Sequence, residues 1–287
     1  MKKKLTKILA SLCCLVMLFT TFTTVVSAHN LQLKTGTSNY RLSGQYVWTA
    51  IDSVVSTQQT AKYFVITAKA GTHTEELYIS FPAEGGFRLQ SKHEYQAELE
   101  VSNVGLFEPT SIATIDYKTD AAGAIMMSGT DGTILRYTEQ GVGFELEIFN
   151  GSNKKIIFIK NKQISFAYNQ KGKILRCMLQ MPLQPEKESI YNGSQRYCDT
   201  NVGDHFSLLN CDCWSAANHA YGNVPLFHSN RGYSIWFNMV YPGEANFGDE
   251  EDSQNKYTVK FDGDKLDFYL WTGTPLENLK KYSLQFF

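Results

Sequence analysis

Carboxylates in the last third of the chain are the first side chains to consider for chemistry, because two of them could act together as acid and base. The candidates by residue type are Asp199, Asp204, Asp212, Glu244, Asp249 and Glu250. Acid and base catalysis requires an environment that raises the pKa of one carboxyl group and leaves the other ionised. No pattern in the sequence indicates such an environment, so we predict no catalytic residue in this chain.

Cysteines, histidines and acids could instead bind a metal. Cys211 and Cys213, together with Cys198, His205 and His219, would offer zinc ligands. However, alternate residues of a strand simply share a face, and the histidines lack the usual metal-site spacing. Buried thiols or a disulfide explain the cysteines equally well. The acidic run 249–252 lacks calcium-loop spacing and is typical of a solvated loop. We predict no metal and no cofactor.

Alternation of apolar and polar residues predicts β-strands along most of the chain. Phe144 to Ile148 alternates apolar residues with glutamates, as a half-buried strand does. Further strands are predicted at 63–69, 76–81, 95–101, 155–160, 164–168, 174–179, 257–261 and 266–271. Many short strands of this kind favour an all-β, antiparallel β-sandwich.

Turn and cap residues separate these strands. Hairpin turns are predicted where a residue that tolerates positive φ stands beside glycine, at 131–132, 150–151, 171–172 and 262–263. One short helix is predicted at the C-terminus. Thr274 is its N-cap, Pro275 occupies the first helical position, and Glu277 completes a capping box.

The first 28 residues are predicted to be a signal peptide. Lys2, Lys3, Lys4 and Lys7 precede an apolar stretch that ends in small residues at Ala28. Cleavage there would remove four lysines and no acid, changing the formal net charge from −1 to −5. We therefore expect a secreted protein without the positive surface that nucleic acid or an anionic membrane would require.

Blocks of sequence late in the chain resemble the N-terminal, galactose mutarotase-like β-sandwich domain of glycoside hydrolase family 31, the α-glucosidase and α-xylosidase group. Tyr191 to Tyr197 is similar to that family's Tyr-Gly-x-Gly-Glu-Arg-Phe block, with Gln195 at the position of the glutamate. Asn210 to Asp212 matches its Asn-x-Asp loop, and Asn223 to Asn238 resembles a strand pair built around Arg-Gly-Tyr. The segment 264–282 looks like the exit into a catalytic barrel.

The resemblance implies a role for each part of the chain. Residues 29–273 would form the sandwich domain, and 274–287 would begin a linker helix to a missing (β/α)₈ barrel that carries the catalytic aspartates. Asp212 would contact a sugar held in the barrel's pocket, and Trp214 would offer an apolar face to the ring. In the full-length enzyme the substrate would be an α-linked oligosaccharide or glycoside. Without the barrel, this chain is expected to be inactive.

Two other classes of function stay open at the level of sequence. A free-standing carbohydrate-binding module could use the Asp212 loop or an aromatic sheet face. A sugar mutarotase would need a glutamate base and histidine acids on one concave sheet, a placement that the sequence does not reveal. A missing barrel also predicts that the apolar residues of the C-terminal helix are exposed.

Overall fold

The computed structural model describes residues 46–99, 112–184, 188–192, 199–200, 204–208, 224–239, 241–247 and 255–286. The predicted signal peptide lies outside these residues. The first strands are β1 (Tyr46–Ala50), β2 (Ser53–Gln59), β3 (Phe64–Ala70), β4 (His73–Pro82), β5 (Phe87–His93), β6 (Ile112–Ala113) and β7 (Asp116–Thr119). Next come β8 (Ile125–Ser128), β9 (Ile134–Gln140), β10 (Gly143–Phe149), β11 (Lys155–Lys160), β12 (Ile164–Asn169), β13 (Ile174–Pro182) and β14 (Ile190–Asn192). The last are β15 (Asp199–Thr200), β16 (Asp204–Ser207), β17 (Leu226–Ser229), β18 (Tyr233–Phe237), β19 (Gly243–Phe247), β20 (Lys256–Asp262) and β21 (Asp267–Thr272). A short 3₁₀ helix spans Asn161–Gln163, and helix α1 spans Pro275–Phe286.

Among the described residues these strands form three antiparallel sheets. The six-stranded sheet has the order β1-β12-β13-β20-β19-β16, and the five-stranded sheet has the order β11-β10-β9-β8-β7. The ten-stranded sheet has the order β15-β14-β17-β18-β21-β5-β4-β3-β2, with β6 paired to β4. The predicted all-β sandwich is confirmed.

One apolar core joins the three sheets. Ile66 and Leu89 of the ten-stranded sheet, Val259 of the six-stranded sheet and Leu146 of the five-stranded sheet are all fully buried within it. The alternation predicted around Leu146 places Phe144, Leu146 and Ile148 in this core, as a half-buried strand requires.

The predicted hairpin turns are confirmed at three of four positions. Antiparallel pairs form between β8 and β9, β10 and β11, and β12 and β13. In the turn predicted at 150–151, the residue with a positive φ is Asn153 and not Gly151. The hairpin predicted at 262–263 is wrong, because β20 pairs in the six-stranded sheet and β21 in the ten-stranded sheet. Asp262 is instead a buried partner of Arg176, at 2.7 Å from its Nε.

Strand β5 corrects a second prediction. The strand predicted at 95–101 is wrong for residues 95–99, none of which is in a strand, while 100 and 101 are outside the described residues. The strand that the structure has in this part of the chain is β5, Phe87–His93, which ends two residues before the predicted strand begins. Its polar residues Arg88, Gln90, Ser91 and His93 are buried, so its sequence does not alternate as a half-buried strand should.

A buried ion pair holds β5 against β21. The Arg88 guanidinium donates two hydrogen bonds to the Asp267 carboxylate, at 2.8 Å from Nε and 2.6 Å from Nη2. Both side chains are almost fully buried, and Asn238 donates a further bond of 2.9 Å to Asp267. A charge buried this deeply requires its partner, because water cannot replace it.

We expect Arg88→Met to lower the free energy of unfolding by about 3–5 kcal/mol, since it leaves the Asp267 carboxylate buried without its cation. The double variant Arg88→Met/Asp267→Leu should lose less than the single one. Lys118→Ala, which removes an exposed ion pair with Asp116, is the control and should cost less than about 1 kcal/mol. Urea unfolding followed by tryptophan fluorescence measures all three. Equal losses for Arg88→Met and Lys118→Ala would contradict this account.

Candidate functional site

The residues predicted to contact sugar, Asp212 and Trp214, lie outside the described residues. So do 193–198 of the first block, the cysteines of the zinc alternative and the acidic run 249–252. These predictions therefore stay predictions. Of the candidate carboxylates, Glu244 is buried 3.2 Å from Lys260 Nζ and 3.7 Å from Arg176 Nη2. Its surroundings are those of a structural ion pair.

The Arg-Gly-Tyr block forms the strand pair that the sequence resemblance indicated. Strands β17 and β18 form a hairpin in which Gly232 has a φ of 94°. Arg231 donates to the Ile156 carbonyl at 2.6 Å, and its Nη1 lies 3.3 Å from Glu188. Tyr233 and Ser229 also donate to Glu188, at 2.8 and 2.6 Å. The block therefore holds the hairpin around one buried carboxylate.

A cluster of histidine and glutamate side chains lies at one end of β4 and β5. His73 and Glu75 are two residues apart on β4 and so point to the same face of the sheet. His93 of β5 is directly opposite Glu75 in the antiparallel register, which places it on that face too. The face is the one that carries the core residues Leu77 and Leu89 farther along these strands.

Glu75 is the buried centre of this cluster, with no exposed surface. Its Oε1 accepts hydrogen bonds from His93 Nδ1 and from the Tyr168 hydroxyl, the latter at 2.8 Å across from β12. Its Oε2 is buried and has no hydrogen-bond partner. Burial raises the pKa of Glu75 above its ordinary value, although the bonds from His93 and Tyr168 act against this.

The two histidines and Glu94 come together beside it. His73 stacks on the Tyr168 ring with 4.1 Å between ring centroids, and its Nδ1 lies 3.4 Å from Glu94 Oε1. One nitrogen of each histidine and one oxygen of Glu94 all lie within 4.8 Å of one another. Burial acts to raise the pKa of Glu94, but hydrogen bonds from His73 and Thr74 outweigh it and hold that pKa below its ordinary value.

A pocket of about 200 Å³ opens next to His93. It is lined by His93, Tyr95, Gln96, Lys173, Ile174 and Asp264. The β12–β13 turn closes over the cluster because Gly172, with a φ of 75°, carries no side chain. A Cβ there would lie 2.8 Å from His73 Cε1 and 2.9 Å from the Tyr95 hydroxyl oxygen.

This cluster was not found from the sequence. The predicted strand began at Glu76, whereas β4 begins at His73 and so includes both His73 and Glu75. The cluster does bring a glutamate and two histidines to one sheet face, as a mutarotase would require. However, a base must touch its substrate, and Glu75 has no exposed surface. Glu75 is placed to orient His93.

The C-terminal helix packs on the other face of the ten-stranded sheet, where side-chain hydrogen bonds attach it. Its capping box is confirmed: the Thr274 amide donates to Glu277 Oε2 at 2.8 Å, and the Glu277 amide lies 3.4 Å from Thr274 Oγ1. Buried Asn278 donates to Ser234 Oγ at 2.9 Å. The same oxygen lies 2.7 Å from His228 Nδ1.

The expected exposure of apolar residues on α1 is confirmed in part. Leu276 and Leu279 are 78% and 44% exposed. Tyr282 instead packs on the sheet, with its ring 5.4 Å from that of Trp236 and 6.4 Å from that of Trp271. Among the described residues, no helix has the length and apolar character needed to cross a bilayer.

No family model and no curated protein matches this chain. Several solved structures do match it. The cycloalternan-forming enzyme of Listeria monocytogenes, in complex with a pentasaccharide substrate, is 16% identical with a TM-score of 0.64. That match covers 79% of this chain and 21% of the enzyme.

Further matches carry the name of glycoside hydrolase family 31. A dextranase of Flavobacterium johnsoniae, complexed with isomaltotriose, is 16% identical with a TM-score of 0.60, over 82% of this chain and 28% of that one. An α-xylosidase from a soil metagenome, complexed with xylose, is 15% identical with a TM-score of 0.56, over 77% of this chain and 32% of that one.

These matches show a shared fold. The chain spans about a fifth to a third of the length of the proteins it matches. The resemblance that the sequence blocks indicated is confirmed at the level of the fold.

Two glycine substitutions test how tightly the β12–β13 turn closes over the cluster. Gly141 also has a positive φ, of 63°, but open space around it. Gly141→Ala should therefore cost about 1–2 kcal/mol, which is the backbone strain alone. Gly172→Ala should cost more, because the new methyl group also collides with His73 and Tyr95. Urea unfolding measures the loss in free energy of unfolding for each variant. Equal losses would mean that His73 and Tyr95 move aside at no cost.

The hydrogen bond between His228 and Ser234, the residue that Asn278 of α1 also contacts, predicts a pH dependence of stability. Burial lowers the pKa of His228 below its ordinary value. The contribution of His228 to the free energy of unfolding is therefore complete above about pH 6.5. It is lost as the pH falls further, because the unfolded chain binds the proton at a higher pH than the folded chain does. The loss is at most about 1.4 kcal/mol per pH unit. Unfolding free energies of wild type and His228→Gln, measured from about pH 7.5 to about pH 5, should converge as the pH falls. A constant difference would contradict the prediction.

Proposed function

We propose that this chain is the non-catalytic sandwich domain of a secreted family 31 glycoside hydrolase. In the full-length enzyme, which hydrolyses α-glycosidic bonds, it braces the catalytic barrel and contributes the Asp212 loop to the sugar site. The observation that carries the proposal is the fold shared with family 31 enzymes over a part of their length. The ordered sequence blocks that resemble the same domain support it independently.

The C-terminal helix supports the bracing role. Asn278 and Tyr282 seat one side of α1 on the sheet, while Leu276 and Leu279 present apolar surface on the solvent side. Large exposed apolar side chains on an element that is itself anchored are typical of a surface that another domain covers. We propose that the catalytic barrel packs against these two leucines.

Sugar binding is proposed for the assembled enzyme. The structural neighbours include proteins complexed with isomaltotriose, xylose and a pentasaccharide. Asp212 is the residue through which this domain would take part, because a carboxylate can accept hydrogen bonds from two neighbouring hydroxyl groups. Trp214 would cover an apolar face of the sugar ring. Export by the first 28 residues places the enzyme outside the cell.

The test is to recover the natural protein. An antibody against this domain, applied to the culture medium of cells that express the gene, should capture a longer polypeptide. Mass spectrometry should find its first residue near His29 and barrel peptides beyond Phe287. The captured protein should hydrolyse p-nitrophenyl α-glucoside or α-xyloside.

The purified chain of 287 residues is the control and should leave both substrates intact. Asp212→Asn in the longer protein should raise the KM for an oligosaccharide while the chain remains folded. Turnover by the short chain that is lost when one of its own carboxylates is neutralised would overturn the proposal. A secreted protein of the short length that binds maltose without hydrolysing it would favour the carbohydrate-binding module.

A further inference from the structure

We propose that His73, His93 and Glu94 bind a divalent transition-metal ion of the zinc type, with Glu75 as the positioning residue behind His93. This site does not rest on the proposed glycoside hydrolase role. It departs from the sequence-based prediction that the chain binds no metal. It also differs from the zinc alternative weighed for the cysteines, because it uses residues at the other end of the chain.

The first argument is the free nitrogen of His93. The side chain is 96% buried, since only 4% of its surface is exposed. Nδ1 is bonded to Glu75, so Nε2 is the nitrogen left to act, and Nε2 is buried without a hydrogen-bond partner. A buried polar atom without a partner loses its hydration for no return. A metal ion bound to Nε2 would supply that missing partner.

The second argument is the arrangement behind His93. Metal-binding histidines usually donate their other ring N–H to a carboxylate, which fixes the tautomer and makes the free nitrogen a better ligand. Glu75 accepts from His93 Nδ1 in this way, and the Tyr168 hydroxyl holds Glu75 in place at 2.8 Å. The series Tyr168, Glu75 and His93 is thus built like the outer shell of a metal site.

The third argument is the spacing of the ligand atoms. Four-coordinate zinc has bonds of about 2.0–2.2 Å to histidine and carboxylate, which places its ligand atoms about 3.3–3.5 Å apart. His73 Nδ1 and Glu94 Oε1 are 3.4 Å apart. This separation is at the long end for a hydrogen bond and also fits two ligands of one ion. The other separations between ligand atoms of the cluster are within 4.8 Å. The Glu94 side chain is 36% exposed, so rotation about its own bonds can bring its carboxylate closer to the histidine nitrogens.

Charge and donor type point the same way. Two carboxylates, Glu75 and Glu94, lie within reach of two histidines, and a divalent cation would balance them. Two imidazoles and one carboxylate are the donor set of several three-ligand zinc sites, where the fourth position is open. Here that position would face the neighbouring pocket, which His93 also lines.

The test is metal binding by the purified chain. After dialysis against EDTA, the protein is equilibrated with Zn²⁺ and its metal content is measured, and Co²⁺ is used as a spectroscopic substitute. We expect one equivalent of metal, and a visible Co²⁺ spectrum of tetrahedral type. His73→Ala and Glu94→Gln should each weaken binding and change the Co²⁺ spectrum. Glu75→Gln should weaken it by about 10–100-fold, as the loss of an outer-shell partner does.

Two controls keep the result interpretable. His228→Gln removes a buried histidine that contacts Ser234 rather than the cluster, and it should bind metal as the wild type does. Blocking the thiols should also leave binding intact. Circular dichroism checks folding, and Glu94→Gln changes a side chain that is 36% exposed, so we expect the fold to tolerate it. Absence of bound metal in the wild type, or binding that survives both His73→Ala and Glu94→Gln, would overturn the proposal. So would binding that disappears when the thiols are blocked.

Discussion

The ion pair between Arg88 and Asp267 is the interaction on which the ten-stranded sheet depends. It joins β5 to β21 at the centre of the sheet and leaves almost no part of either charge exposed. One face of this sheet contributes Leu89 and Phe268 to the main core. The other face carries Trp236, Tyr269 and Trp271, which pack with Tyr282 of α1. With apolar layers on both faces, a charge in the middle of the sheet is stable only when its partner is bonded to it.

The same strand ends in a polar pair of a different kind. At Arg88 both charges are matched, and the Asp267 carboxylate accepts from two side chains. At His93 the match is incomplete, because His93 Nε2 and Glu75 Oε2 are both buried without hydrogen-bond partners. Polar atoms left in that condition are uncommon in folded proteins, and each requires an explanation, of which a bound ion is one. The fully hydrogen-bonded pair Arg88–Asp267 stabilises the sheet, whereas the pair His93–Glu75, which keeps unbonded polar atoms, offers a binding position.

The helix and the cluster use opposite faces of the ten-stranded sheet. Asn278, Ser234 and His228 connect α1 to β17 and β18 through side-chain hydrogen bonds, which set the direction in which the chain leaves the sandwich. The cluster lies between β4, β5 and β12, where the ten-stranded and six-stranded sheets meet. A contact with another domain at α1 would therefore leave the cluster free, so the two proposed roles do not compete for one surface.

The sequence by itself determined the elements whose signals are local. Alternation predicted β10 and seven of the other 20 described strands, glycine turns predicted three hairpins, and the Thr274 capping box predicted α1. Each of these patterns depends on residues a few positions apart. The tertiary structure decided where the chain changes sheets after Asp262 and where β5 lies. It also decided the cluster, in which Tyr168 and Glu75 are 93 positions apart. No local pattern carries such a pairing, because burial of a polar side chain depends on a partner that only the folded chain supplies.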